Sequence, residues 1–320
     1  MNLEAARPSS IQATEALLFD LHGSQIPIER IPAIFILGSP RTGSTLLYQL
    51  ICRHFSTVYF SNHTNDNYSE TPSVGIALER TLFPAPLISL DSNYGKTKEP
   101  FEPSEGSAVF THWFGGQHPS QIHSTRFLTG KREHFERSMR TIFGITHRPI
   151  VTKNAWNVFR IEELAAHLKS AIFIWVRRDI ATSALSDLEA RYRRGGPQIW
   201  NSATTWNYQE IQKQPYWEQV VEQQYWYNKT ISADLERYAK DRFVEVWYEK
   251  LATRPEHELH RVGQFLNSRY SEVTQLSDQA PIIQSRSKKN LLPEDFDRIQ
   301  DYILNNQPRL EPYRVPGATL

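Results

Sequence analysis

The chain has 320 residues, with 36 Lys+Arg against 35 Asp+Glu and a formal net charge of +1. Near-neutrality excludes a general nucleic-acid coat, which needs a basic surface. An aromatic content of 12% excludes a disordered acidic or basic chain, and one cysteine excludes an intrachain disulfide framework or a multi-cysteine zinc site.

The longest apolar runs, residues 31–37 and 171–176, are strand-sized and far short of the roughly 20 residues that span a bilayer. Residues 1–10 contain no apolar stretch of the secretory type and are expected to be flexible. The expectation is a cytoplasmic protein with no membrane span and no nucleic-acid partner. A homo-oligomer is left open.

Taken in chain order, residues 11–21 read as a short helix from Ile11, Ala16, Leu17, Leu18 and Leu21. Residues 31–37 form a continuous apolar run ending at Gly38 and Pro40, the pattern of a buried parallel strand and a tight turn. Helical spacing of Leu46, Leu47, Leu50 and Ile51 follows in 44–55. A second strand is expected at 57–60, helices at 71–82 and 132–143, and a third strand at 149–152 with a helix at 158–168. The segment 84–130 between them is rich in Pro, Gly, His and aromatics. The strand 171–176 leads to Asp179, a good N-cap for a helix over 180–194 that Gly195-Gly196-Pro197 stops. Helices within 199–240, a strand at 243–247, a helix at 255–266, a loop at 278–290 and a helix at 293–304 complete the chain. Strands alternating with helices predict one α/β domain over residues 1–320. Its expected form is a three-layer sandwich with a central parallel sheet, flanking helices and long helical insertions.

Gly38-Ser39-Pro40-Arg41-Thr42-Gly43-Ser44-Thr45 sits between the first strand and its helix. The glycine spacing is that of a P-loop, whose free N–H groups and helix dipole cradle a phosphate. A nucleoside triphosphatase has Lys directly after the second glycine, but this chain has Ser44 there and its loop cation is Arg41. That disfavours a P-loop kinase. A second anion site is expected at Arg178, at the C-terminal end of a strand, with Ser186 two helical turns on. Arg177 reads as an ion-pair residue, Ser183 as helix packing, and Arg191, Arg193 and Arg194 as a solvated helix end.

These motifs, in this order, resemble the sulfotransferases that use 3′-phosphoadenosine 5′-phosphosulfate (PAPS), over roughly residues 30–305. Residues 38–45 resemble the 5′-phosphosulfate loop, which implies that Ser39, Arg41, Thr42, Gly43, Ser44 and Thr45 bind the cofactor. Arg178 and Ser186 stand at the family's spacing for the 3′-phosphate motif. By the same likeness Tyr248 would contact adenine. Residues 285–290 resemble the basic loop that closes over the nucleotide, with Arg286 and Lys288 as its cations. Arg at the position of Arg41 is the commoner choice in the broad, mainly bacterial branch, where the cytosolic animal branch has Lys.

The resemblance implies in-line transfer of a sulfuryl group from PAPS, leaving adenosine 3′,5′-bisphosphate (PAP), with no metal. It implies catalytic roles for Arg41 and Lys153. The cytosolic branch places its catalytic histidine two residues after a lysine equivalent to Lys153, but this chain has Ala155. The base is therefore expected among carboxylates of the proline-bracketed segment 99–105, at Glu102 or Glu105, with His63 and His112 next. A capping box built by Ser104 and Glu105 is the competing reading. Trp113-Phe114-Gly115-Gly116 and residues 200–206 are the expected acceptor wall, for a carbohydrate or small-molecule hydroxyl or amine. The loss of the histidine leaves a catalytically inactive nucleotide-binding scaffold as an alternative.

Overall fold

The computed structural model describes residues 9–23, 25–82, 88–90, 97–116, 125–270, 273–276 and 291–315. Four strands, β1 (Ala33–Leu37), β2 (Ile150–Lys153), β3 (Ile172–Arg177) and β4 (Phe243–Trp247), form one parallel sheet in the order β2-β1-β3-β4. All five residues of β1 are buried. Ala33, Phe35 and Leu37 enter the core on one face of the sheet, and Ile34 and Ile36 enter the core on the other. A parallel strand covered on both faces has no position left for a polar side chain, which is why this run is uniformly apolar.

The connections from β1 run first to β2 on one side and then across to β3 on the other, so the direction of winding reverses between β1 and β3. Register places Leu37 beside Trp175 and Ile36 beside Lys153. The crevice at the carboxyl ends of β1 and β3 is where open α/β sheets take ligands. A third apolar cluster joins the helices Ile180–Arg193, Tyr216–Tyr238 and Pro293–Asn305 beside this edge. Among the described residues, no helix is long and apolar enough to cross a membrane.

Two expectations are corrected. Residues 57–60 do not form a strand of the sheet. Val58 makes a single parallel bridge to Ile150, with its N–H donating to the Pro149 carbonyl at 2.9 Å. The expected N-terminal helix forms over Ser10–Leu18, with Ile11, Leu17 and the following Leu21 exposed. It buries Glu15, which accepts from the Ser73 N–H at 3.3 Å and pairs with His134 at 2.9 Å. Arg191 is not solvated. It is fully buried, 3.3 Å from the carboxylate of Asp187 and 2.6 Å from Gln219. Arg193 does stay in solvent reach beside Glu189.

Of the segment expected to be flexible, residues 1–8 lie outside the described residues, whereas Ser9 caps the first helix through the Gln12 N–H. Arg286, Lys288 and the rest of the expected nucleotide-closing loop also lie outside the described residues.

Candidate active site at the sheet switch point

The loop after β1 turns on two glycines. A Cβ on Gly38 would lie 2.6 Å from Thr42 Oγ1 and 3.0 Å from the Val176 carbonyl, so only glycine lets the loop pass this close to β3. Gly43 has φ +87°, and a Cβ there would lie 2.4 Å from the Tyr248 ring. Gly43 precedes the helix Ser44–His54, which has no side-chain N-cap. Its first intrahelical bond is Leu47 N–H to the Gly43 carbonyl at 3.1 Å, so the N–H groups of Ser44, Thr45 and Leu46 lie in the turn that helical bonding leaves unpaired. Together with the positive end of the helix dipole they form a cradle for an anion.

Other elements clamp the loop. Thr42 Oγ1 donates to the Ser39 carbonyl at 2.9 Å. From the helix Tyr216–Tyr238, Gln224 donates to the Pro40 carbonyl at 3.0 Å and Asn228 donates to Ser39 Oγ at 3.4 Å. Arg41 has φ +70°, a conformation uncommon outside glycine that persists where neighbours over-determine it. Its Nε donates to Ser186 Oγ at 3.3 Å, and its carbonyl accepts from Arg178 Nη1 at 2.9 Å. Ser186 lies on the helix Ile180–Arg193, whose N-cap Asp179 accepts from the Thr182 N–H.

Arg178 therefore couples the two expected anion sites directly. Its guanidinium stacks on the Tyr248 ring with 4.4 Å to the centroid, and that ring in turn covers Gly43. Burial pushes the Arg178 guanidinium below its ordinary range, with Tyr248, Glu249 and Asp179 opposing the shift. Its buried Nε has no hydrogen-bond partner among the described residues. A buried, incompletely paired cation is costly unless an anion arrives to meet it. The residues present thus fit a nucleotide carrying phosphate groups at both ends of this crevice.

The two carboxylate candidates separate cleanly. Glu102 is buried and accepts three backbone N–H groups, from Ser89 at 3.2 Å, Lys98 at 3.0 Å and Glu99 at 3.1 Å. Burial alone would raise its pKa, but the hydrogen bonds outweigh it and hold the carboxyl below the usual carboxylate range. Its acceptor capacity is spent on its own loop. Glu105 instead forms an ion pair with Lys153 at the end of β2. Asn154 donates to the Glu105 carbonyl at 3.1 Å and holds the residue at the sheet edge.

Burial raises the Tyr48 and Tyr227 phenols well above their ordinary range, and the Glu105 charge adds to both. Glu105 therefore lies within electrostatic reach of both the loop helix and the helix Tyr216–Tyr238. The capping-box reading is overturned. Gly106 is the N-cap of the helix Ser107–Phe114, and Ser104 accepts from the Gly106 N–H at 3.3 Å.

His63 packs between Tyr68 and Phe101 and pairs with Glu79 at 3.2 Å. His112 contacts Lys131 at 3.0 Å, and burial, then Lys131 and His134, push its pKa down to about 4. Trp113 and Phe114 are fully buried among Phe110, Phe127 and Phe135, so they are core and not an acceptor wall. In the other expected wall segment, 200–206, Trp200 lies over the Arg191 guanidinium and Trp206 lies edge-on to Trp226. Gln223 donates to the Asn201 and Ala203 carbonyls at 3.3 and 3.1 Å, one residue from the Gln224 that holds the loop.

Gln224 and Asn228 were not foreseen. The available signal was two polar side chains four residues apart on a helix, at positions the fold buries completely or nearly so.

Comparison with known proteins gives the fold and family. The chain is similar to sulfotransferase STF9 from Mycobacterium avium, with 14% identity, a TM-score of 0.50, and coverage of 92% of this chain and 72% of that one. It is also similar to a sulfotransferase from Alicyclobacillus acidocaldarius, with 13% identity, a TM-score of 0.47, and coverage of 89% and 96%. No curated protein sequence matches significantly. The sulfotransferase-family profile matches residues 32–272. The α/β sheet, the clamped loop after β1 and that match lead to one conclusion: this chain belongs to the sulfotransferase family, enzymes of the EC 2.8.2 type that move a sulfuryl group and typically draw it from PAPS.

Proposed function

We propose that this chain transfers the sulfuryl group of PAPS to a hydroxyl of a carbohydrate or small molecule, with an amine as the variant acceptor. The observation that carries the reading is the hydrogen bond from Arg178 to the Arg41 carbonyl, which ties the 3′-phosphate residue to the 5′-phosphosulfate loop. PAPS, when bound, supplies a sulfuryl group on a phosphate leaving group.

The loop N–H groups of residues 43–45 and the Thr42 and Ser39 segment hold the 5′ end. Arg178 and Ser186 hold the 3′-phosphate, and Tyr248 offers its ring to the base. Arg41 stands where charge builds on the leaving phosphate. Glu105 would take the proton of the acceptor hydroxyl, and PAPS, when bound, would supply the sulfuryl group with its 5′-phosphate as the leaving group. Lys153 lies beside Glu105 as the cation for the transferring group. Glu105 is preferred to Glu102 because its carboxylate meets a side chain at the sheet edge, while Glu102 is committed to three backbone donors. The carboxylate stands in for the histidine that Ala155 replaces, which favours an active enzyme over a scaffold.

Thermal-shift titration tests the reading. PAP without magnesium should stabilise the chain by about 2.7 kcal/mol at a hundredfold excess over Kd. Arg178→Ala should weaken PAP binding at least tenfold. Stabilisation by Mg-ATP alone would sink the proposal.

A further inference from the structure

The residues on either side of Arg178 are both gripped by the segment 311–315. Arg177 donates to the Pro312 carbonyl at 2.5 Å, and its guanidinium lies 4.6 Å from the Trp175 ring and 4.2 Å from the Trp247 ring. Asp179 is almost fully buried and uses both carboxylate oxygens. Oδ1 accepts from the Thr182 N–H at 3.0 Å and from Thr182 Oγ1 at 3.2 Å. Oδ2 accepts from Arg314 Nε at 2.7 Å and from the Val315 N–H at 3.2 Å. The Asp179 N–H in turn donates to Glu249 Oε1 at 3.0 Å. The same segment is anchored by Tyr313, edge-on to Tyr225 at 5.8 Å, and the turn of helix before it by Arg309, paired with Glu222 at 2.6 Å.

We propose that Arg314 is a positioning residue of the nucleotide site, acting through Asp179 to keep Arg178 available to a 3′-phosphate. The proposal rests on the PAPS reading above. Arg178 and Arg314 balance Asp179 and Glu249, so this group of four side chains carries no net charge. Arg177 is already neutralised by Glu245 at 2.8 Å. Removing Arg314 leaves one net negative charge beside the residue that must receive a phosphate dianion. Burial weakens the screening that solvent would provide. It also frees Asp179 to compete with the ligand for the neighbouring guanidinium. Arg314 thus links the chain's C-terminal segment to discrimination between nucleotides with and without a 3′-phosphate.

Isothermal titration of the full chain with adenosine 3′,5′-bisphosphate and with adenosine 5′-monophosphate separates this role from a structural one. The unsubstituted chain should prefer the bisphosphate. Arg314→Ala should weaken bisphosphate binding about tenfold while leaving the monophosphate within about twofold. Arg314→Lys, which keeps the charge, should restore most of the preference. If Arg314→Ala does not fold, Arg314→Gln makes the same comparison. A variant that weakens both nucleotides equally, or neither, overturns the proposal. A chain that does not distinguish the two nucleotides at all overturns the PAPS reading, and the role of Arg314 with it.

Discussion

Glu102 and Glu105 lie three residues apart and have different chemistry because their donors differ. Glu102 meets three backbone N–H groups, and Glu105 meets the Lys153 ammonium. Glu105→Gln should lower turnover by about a hundredfold or more, the usual worth of a positioned base, and leave PAP affinity unchanged. Full turnover in that variant would remove Glu105 from the mechanism. Glu102→Gln should act on stability, costing about 2 kcal/mol in urea denaturation because an amide turns donors toward donors. The sign of the pH dependence follows from the depressed folded-state pKa of Glu102. Its stabilisation is complete above the unfolded carboxyl pKa and is lost as pH falls through the folded value. The gap between the parent chain and Glu102→Gln should therefore close in acid and stay constant from neutral pH upward.

At the scale of elements, the loop after β1 is shaped by neighbours far away in the chain. Gly43→Ala would combine a left-handed residue, costing about 1–2 kcal/mol, with a methyl group 2.4 Å from the Tyr248 ring. The ring must move, and with it the surface on which Arg178 stacks. PAP affinity should fall at least tenfold along with the melting temperature, and unchanged affinity would show that the ring position is not needed. Two helices carry the other supports. Ser186 and Asp187 are adjacent on Ile180–Arg193, the first holding Arg41 and the second holding Arg191 and Asn201. Gln223 and Gln224 are adjacent on Tyr216–Tyr238, the first holding residues 201 and 203 and the second holding Pro40. Arg191→Ala would leave the fully buried Asp187 carboxylate without its counter-ion. Breaking such a pair costs about 3–5 kcal/mol, and a loss under about 1 kcal/mol in urea denaturation would contradict this account.

For the whole molecule, local and apolar patterns were readable in the sequence and long-range polar contacts were not. The strands β1 and β3 were legible because a doubly covered strand must be apolar throughout. The glycine loop after β1 was legible because glycine is needed where the backbone passes close to a neighbour or takes positive φ. The segment 57–60 misled because its apolar residues pack beside β2 without completing a ladder. The N-terminal helix was legible but its contacts were not, because its buried residue is Glu15, whose partners Ser73 and His134 are distant in the chain.

The sequence by itself determined the alternation of strand and helix, the family, and the identity of Arg41, Arg178, Ser186 and Lys153 as candidates. Only the tertiary structure decided that Arg178 touches the loop, that Glu105 meets Lys153, and that Arg314 reaches Asp179. Periodicity and glycine spacing are set by backbone geometry within a few residues. A charge or donor acquires its function from what the fold brings to within about 3 Å, which no local pattern records.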